Sequence, residues 1–210
     1  AAGQTLAVNS GANALEYVAP PVGVAFKKTI DMKANSAQTY DITWADISSQ
    51  ISYENIAGVR MSFYEISANG SAYLYVYGLN ASDSVINSGY LGCQSDGYWG
   101  TTQEHNSNNG YMKFPNYNQE IRSTNYSYGQ GMTGSMNFIP WREGSSNESS
   151  KGGGCAYHIM WQHSSNTWPL QEQGGWNNYS NDTAPGAWEG GFRLYSTSGA
   201  WNHGRVVIEV

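Results

Sequence analysis

Apolar and polar residues alternate with a period of two in eight stretches of this chain, at 25–30, 39–44, 59–64, 72–77, 135–141, 156–162, 191–195 and 205–210. Successive side chains of an extended backbone point to opposite faces, so this period predicts strands with one buried and one wet face. The clearest instance closes the chain. Phe192 and Leu194, then Val206, Ile208 and Val210, alternate on either side of Ser196-Thr197-Ser198-Gly199, which predicts a closing hairpin of strand, turn-rich loop and strand, the second of two similar hairpins that frame the molecule. An earlier segment follows the same plan: Gly58-Val59-Arg60-Met61 aligns with Gly191-Phe192-Arg193-Leu194 and leads through Ser67-Ala68-Asn69-Gly70 into 72–77. There Tyr73, Tyr75 and Tyr77 alternate with Leu74 and Val76, so one face of that strand is all tyrosine, an interface or a ligand platform.

Eight such segments predict an all-β fold, an antiparallel β-sandwich of two four-stranded sheets with long polar, aromatic-rich loops. The stretch 45–56 has room for one short helical turn, and 84–91 for a brief strand. Residues 92–135 are crowded with Gly, Asn, Ser and Tyr; their aromatic content exceeds that of disordered segments, which predicts long ordered loops holding one or two short strands. A hairpin-tip loop is expected at 143–154 and a second aromatic-rich loop at 164–190. Residues 1–23 differ in texture, with scattered glycines and Pro20-Pro21, and read as a connector or stalk junction ahead of a head domain at 24–210.

Composition sharpens this picture. Only 12% of the 210 residues are charged, while there are 16 Tyr, 8 Trp and 25 Gly, a balance that favours strands and loops over helices. The net charge is −6 and the ten Lys and Arg are scattered, which argues against nucleic acid as a partner, because phosphate neutralisation needs a concentrated basic surface. No apolar run approaches the ~18 residues of a membrane span, so membrane insertion is not expected. Cys93 and Cys155 both lie among glycines in predicted loops, where a bridge between them is as open as two free thiols.

Catalytic signatures are missing. No phosphate-cradling glycine loop, zinc-protease helix motif or nucleophile elbow occurs. Of His105, His158, His163 and His203, the middle two are five positions apart along a strand and its exit, which places them on opposite faces and predicts no metal site. Glu104, Glu120, Glu143, Glu172 and Asp182 fall in predicted loops with no spacing that singles out a pair for glycoside cleavage. No catalytic residue, cofactor or metal is therefore expected. The informative constellation is aromatic: Tyr98, Trp99, Trp168, Trp176, Tyr179 and Trp188, with Trp201, sit beside Gly, Asn, Asp and Ser. Flat rings flanked by hydrogen-bonding groups suit a sugar, whose C–H face stacks while its hydroxyls are bonded. The competing expectation is that these rings form small satellite cores pinning long loops to the sheets.

Two stretches carry a resemblance. The run 3–18, GQTLAVNSGANALEYV, resembles a short linker found ahead of terminal domains in bacteriophage tail fibres and related virion appendages. The run 190–210, GGFRLYSTSGAWNHGRVVIEV, resembles the closing hairpin of jelly-roll head domains in phage structural proteins. Together they cover about a fifth of the chain, and 93–188 matches no such motif. The resemblance implies a jelly-roll head of receptor-binding type at the distal end of a tail fibre: a non-enzymatic, homotrimeric component of the extracellular virion. Its implied partner is a host-surface receptor, glycan or protein, held through the long loops. Two rivals come from other classes, a secreted carbohydrate-binding module or lectin and a polysaccharide-cleaving enzyme.

Overall fold

A computed structural model describes residues 24–35, 37–52, 55–80, 82–86, 111–115, 120–121, 131–140, 153–162, 169–178, 188 and 191–210, and in backbone only 5–8, 15–18, 90–98 and 101–109. Residues 35, 169, 177 and 178 are likewise described in backbone only.

The strands are β1 (Thr5–Val8), β2 (Leu15–Val18), β3 (Lys27–Asp31), β4 (Thr39–Ile42), β5 (Val59–Ala68), β6 (Leu74–Leu79) and β7 (Tyr90–Tyr98). After them come β8 (Thr101–Asn109), β9 (Met112–Phe114), β10 (Met132–Pro140), β11 (Gly153–Gln162), β12 (Pro169–Asn178), β13 (Gly191–Ser196) and β14 (Trp201–Glu209). Two short helices, α1 (Met32–Asn35) and α2 (Trp44–Ser48), complete the described elements. All eight expected strands are present. The helical turn expected in 45–56 is α2, capped because the Thr43 side chain accepts from Asp46 N while the Asp46 carboxylate accepts from Thr43 N.

The protein is an all-β sandwich, and every strand pair in it is antiparallel. One sheet runs β4-β13-β6-β9 and the other β3-β14-β5-β10-β11-β12-β7-β8, while β1 and β2 pair with each other as a separate hairpin. The expectation of two four-stranded sheets is therefore corrected to four strands facing eight. Four of the eight, β3, β14, β5 and β10, were legible as half-buried strands, as was β11. The extension through β12, β7 and β8 was not, because its sequence is largely Gly, Gln, Asn and Ser. An apolar period of two is the sequence mark of a half-buried strand, and these segments lack it even where, as at Leu170 and Trp176 of β12, they reach the core.

The core lies between the layers. Ile42, Leu74, Val76, Phe192 and Leu194 of the small sheet meet Val59, Met61, Phe63, Met136, Phe138, Val206 and Ile208 of the large one. Rings cross the interlayer space: Phe63 stands 6.4 Å from Phe114 and Phe138 stands 5.3 Å from Phe192. Fully burying such side chains contributes roughly 1.5–3 kcal/mol each, so these contacts dominate the fold's stability.

The two cysteines are not bridged. Cys155 is a buried free thiol. It pairs with Trp176 across β11 and β12, while Cys93 pairs with Gly175 across β12 and β7, so a whole strand separates them. Two strand spacings amount to roughly 10 Å, and a disulfide needs Cα atoms within about 7 Å.

Candidate binding face

Alternation along β6 turns Leu74 and Val76 into the core and leaves Tyr73, Tyr75 and Tyr77 half-buried on the outer surface of the small sheet. Register then collects more polar and aromatic groups around them. Tyr195 and Arg193 of β13 pair with Tyr75 and Tyr77, Lys113 of β9 pairs with Tyr75 from the other side, and Asp41 of β4 pairs with Arg193. Tyr111, just before β9, completes the group.

The rings form one array. Tyr75 stacks on Tyr111 with centroids 3.8 Å apart and planes 11° apart, and Tyr77 meets Tyr111 edge-on at 5.7 Å. Tyr73 and Tyr195 lie 6.5 Å and 6.2 Å from Tyr75. The Lys113 ammonium sits 4.0 Å from the Tyr73 centroid, where the ring quadrupole attracts it. At the β4 edge Arg193 donates two bonds to Asp41, Nε to Oδ1 at 2.7 Å and Nη2 to Oδ2 at 2.6 Å, and Gln38 donates to the Tyr195 hydroxyl at 3.2 Å. Each aromatic pair adds roughly 0.5–1.5 kcal/mol beyond its buried area, so the array is held in place before any ligand arrives.

Burial disfavours the phenolate form at three of its rings. Burial pushes the Tyr73 phenol up to about 12, with the Glu120 carboxylate adding to the effect. Burial likewise raises Tyr75, with the neighbouring Tyr111 hydroxyl reinforcing it, and raises Tyr77. Burial lowers Lys113, against the pull of Glu172 and Glu120 in the other direction. Around neutral pH the array presents phenol hydroxyls that both donate and accept, apolar ring surface, and a lysine in a desolvated setting.

Of the residues expected to hold a ligand, two have described side chains. Trp176 and Trp188 are core residues, each 1% exposed, and present no face to a ligand. Trp188 packs 4.6 Å from Phe138 and 5.3 Å from Phe192, and its indole N–H donates to the Gly191 carbonyl at 2.9 Å. Trp201 is buried as well. Tyr98 ends β7, where only backbone is described, and Trp99, Trp168 and Tyr179 lie outside the described residues. Trp176, Trp188 and Trp201 join the main core rather than small satellite cores under loops: with eight strands in the large sheet, the interior reaches further along the chain than the apolar alternation suggests.

Among the acids, Glu172 is no loop residue. It lies in β12, 1% exposed, and accepts from the Tyr157 hydroxyl at 2.5 Å. Glu104 is in β8, while Glu143 and Asp182 lie outside the described residues. His158 is exposed on the outer face of β11, and His163 lies outside the described residues. No cluster of three or more His, Cys, Asp or Glu suited to a metal occurs among the described residues. No helix among them is long and apolar enough to cross a membrane.

The stripe of Tyr73, Tyr75 and Tyr77 is legible in the sequence, whereas the part of Tyr111 and Tyr195 in it is not. Tyr195 falls in an alternating strand segment, but only register sets it beside Tyr75. Tyr111 precedes a strand of three residues, too short for a periodic signal. The fold and this face define a class: an antiparallel β-sandwich with a polar-aromatic outer face on its small sheet. Compared with family models, curated proteins and solved structures, the chain matches none.

Proposed function

We propose that this chain is a non-enzymatic binding domain of virion-appendage type, a distal tail-fibre part that attaches to a host-surface receptor, in the first place a glycan. The observation that carries the reading is the preformed tyrosine array on the outer face of the small sheet, with Tyr75 and Tyr111 stacked at 3.8 Å. Tyr offers large contact area with only two side-chain torsions to freeze, so such a surface binds a polar partner at low entropic cost. Strand order supports the architecture that the resemblance implies. Without β11, β12, β7 and β8, the layers read β3-β14-β5-β10 and β4-β13-β6-β9, the arrangement of a jelly roll whose two inserted hairpins widen one sheet. The long loops remain candidates for further contacts beside this face.

The test is a glycan array probed with the native protein and with Tyr75→Glu and Tyr111→Ala. Saturable binding to a defined glycan set, reduced about tenfold or more by either change with the far-UV spectrum intact, is the expected result. Binding that ignores both variants removes the face from the proposal. Light scattering on the same samples separates receptor contact from the homotrimeric assembly that the resemblance implies, because a charge buried at a subunit interface dissociates the oligomer. New reducing ends or unsaturated sugars on incubation with capsular or cell-wall polysaccharide would replace the reading with an enzymatic one.

A further inference from the structure

The outer surface of the large sheet, away from the tyrosine array, carries a cleft of ≈ 730 Å³ bordered by Asp31, Lys33, Tyr64, Glu65, His203 and Arg205. It exists because β5 bulges against both of its neighbours at one place. Along β10, Met132 faces Ile66 and Gly134 faces Phe63, so three steps on β5 are spanned by two. Along β14, His203 faces Ser67 and Arg205 faces Tyr64, with the same excess on β5. The surplus residue is Glu65, whose φ of 52° lies in the left-handed region that side chains other than Gly, Asn and Asp rarely enter.

Both neighbours are shaped to admit it. Gly131 and Gly204 flank the Glu65 peptide so closely that a Cβ on either would strike its backbone, and Gly204 itself has φ 86°. On the β10 side the Thr133 hydroxyl accepts from Glu65 N at 3.0 Å. The Glu65 side chain, by contrast, is 67% exposed and contributes nothing to the core. Packing therefore does not explain a glutamate in a conformation that glycine would adopt without strain. Bulges that re-aim a side chain are a recognised device beside binding sites.

What the bulge aims is a balanced set. The Glu65 carboxylate is 3.5 Å from His203 Nε2. The Arg205 guanidinium lies 4.8 Å from the centre of the Tyr64 ring, which remains 41% exposed. Two carboxylates are matched by one lysine and one arginine, so the cleft combines donors, acceptors and an aromatic surface without a dominant charge. A strongly charged ligand would meet as much repulsion as attraction there, whereas vicinal hydroxyls on a ring with an apolar face are matched on every side.

The geometry points to a second binding site at this bulge, taking one or two units of a neutral pyranoside. It deepens the glycan-receptor reading and rests on it for the ligand class. Backbone amide NMR of the ¹⁵N-labelled protein, titrated with methyl glucoside, methyl galactoside, methyl mannoside, N-acetylglucosamine and glucuronate, tests it. Saturable shifts at the Glu65, Gly204 and Arg205 amides with at least one neutral sugar are expected, and His203→Ala should weaken that binding about fivefold. Glu65→Gly keeps the backbone conformation while removing the side chain, so it should abolish the shifts with no fall in Tm. No shift at these amides with any neutral sugar, response to glucuronate alone, or full binding by Glu65→Gly would each overturn the site. Shifts confined to Tyr75, Tyr111 and their neighbours would overturn it while leaving the receptor reading standing.

Discussion

Two buried tryptophans of this protein differ in one atom's surroundings, and that difference is measurable. Trp188 donates its indole N–H to Gly191, whereas Trp176 Nε1 is buried with no hydrogen-bond partner among the described residues. Replacing either by Phe removes similar volume, but only Trp188→Phe also breaks a buried hydrogen bond. Denaturant unfolding should show Trp188→Phe less stable than Trp176→Phe by about 1 kcal/mol; equal losses would mean that the Gly191 bond adds nothing net. Cys155 is governed by the same interior. Burial pushes its thiol up to about 12, although the Trp176 backbone pulls the other way, so almost no thiolate exists at neutral pH. Iodoacetamide at pH 7.5 should leave Cys155 unlabelled in the folded protein and label it fully in denaturant, read by peptide mass spectrometry.

The phenol of Tyr73 carries a pH signature. Its folded pKa of about 12 exceeds the ordinary 10.0, because burial disfavours the phenolate. The stability this contributes is complete below pH 10 and is lost as the pH climbs toward 12. Tm measured over that alkaline window should therefore fall less steeply in Tyr73→Phe than in the native chain. Identical slopes would place the alkaline sensitivity elsewhere.

At the scale of elements, β6 and the β5 bulge show how local pattern and tertiary demand divide the labour. The alternation of Leu74, Tyr75, Val76 and Tyr77 sets both faces of β6 without help from its neighbours, and the burial follows the pattern residue by residue. The bulge has no such local sign: nothing in Phe63-Tyr64-Glu65-Ile66 announces a left-handed residue. It follows from three strands that meet with unequal residue counts, and it holds backbone strain of about 1–3 kcal/mol. Gly204→Ala would force a Cβ onto the Tyr64–Glu65 backbone at a φ that alanine disfavours. Thermal unfolding should place it at least about 2 kcal/mol below the native protein. A neutral result would mean that the bulge relaxes easily and is not a fixed feature of the sheet.

Among the described residues a sheet of four strands packs against one of eight. Beyond β10 the large sheet runs on through β11, β12, β7 and β8. Tyr157, Ile159, Trp161, Leu170 and Trp176 along its inner side are buried, which draws tryptophans expected on loops into the interior. On the outer face of the small sheet five tyrosines from β6, β13 and the residues just before β6 and β9 converge.

Residue order alone determined the all-β class, the eight half-buried strands and the inward and outward sides of β6. Each of these depends on a period of two within a few neighbouring residues, a property the backbone imposes locally. The two hairpins that the same order predicts are instead crossovers between layers, because β5 and β14 join the large sheet while β6 and β13 join the small one. Tertiary structure decided how many strands join each sheet, which tryptophans are core, that Cys93 and Cys155 stand a strand apart, and that Tyr111 and Tyr195 meet Tyr75. Those outcomes depend on register between segments as far apart as β6 and β13, and pairing energies between distant segments leave no periodic mark on either one.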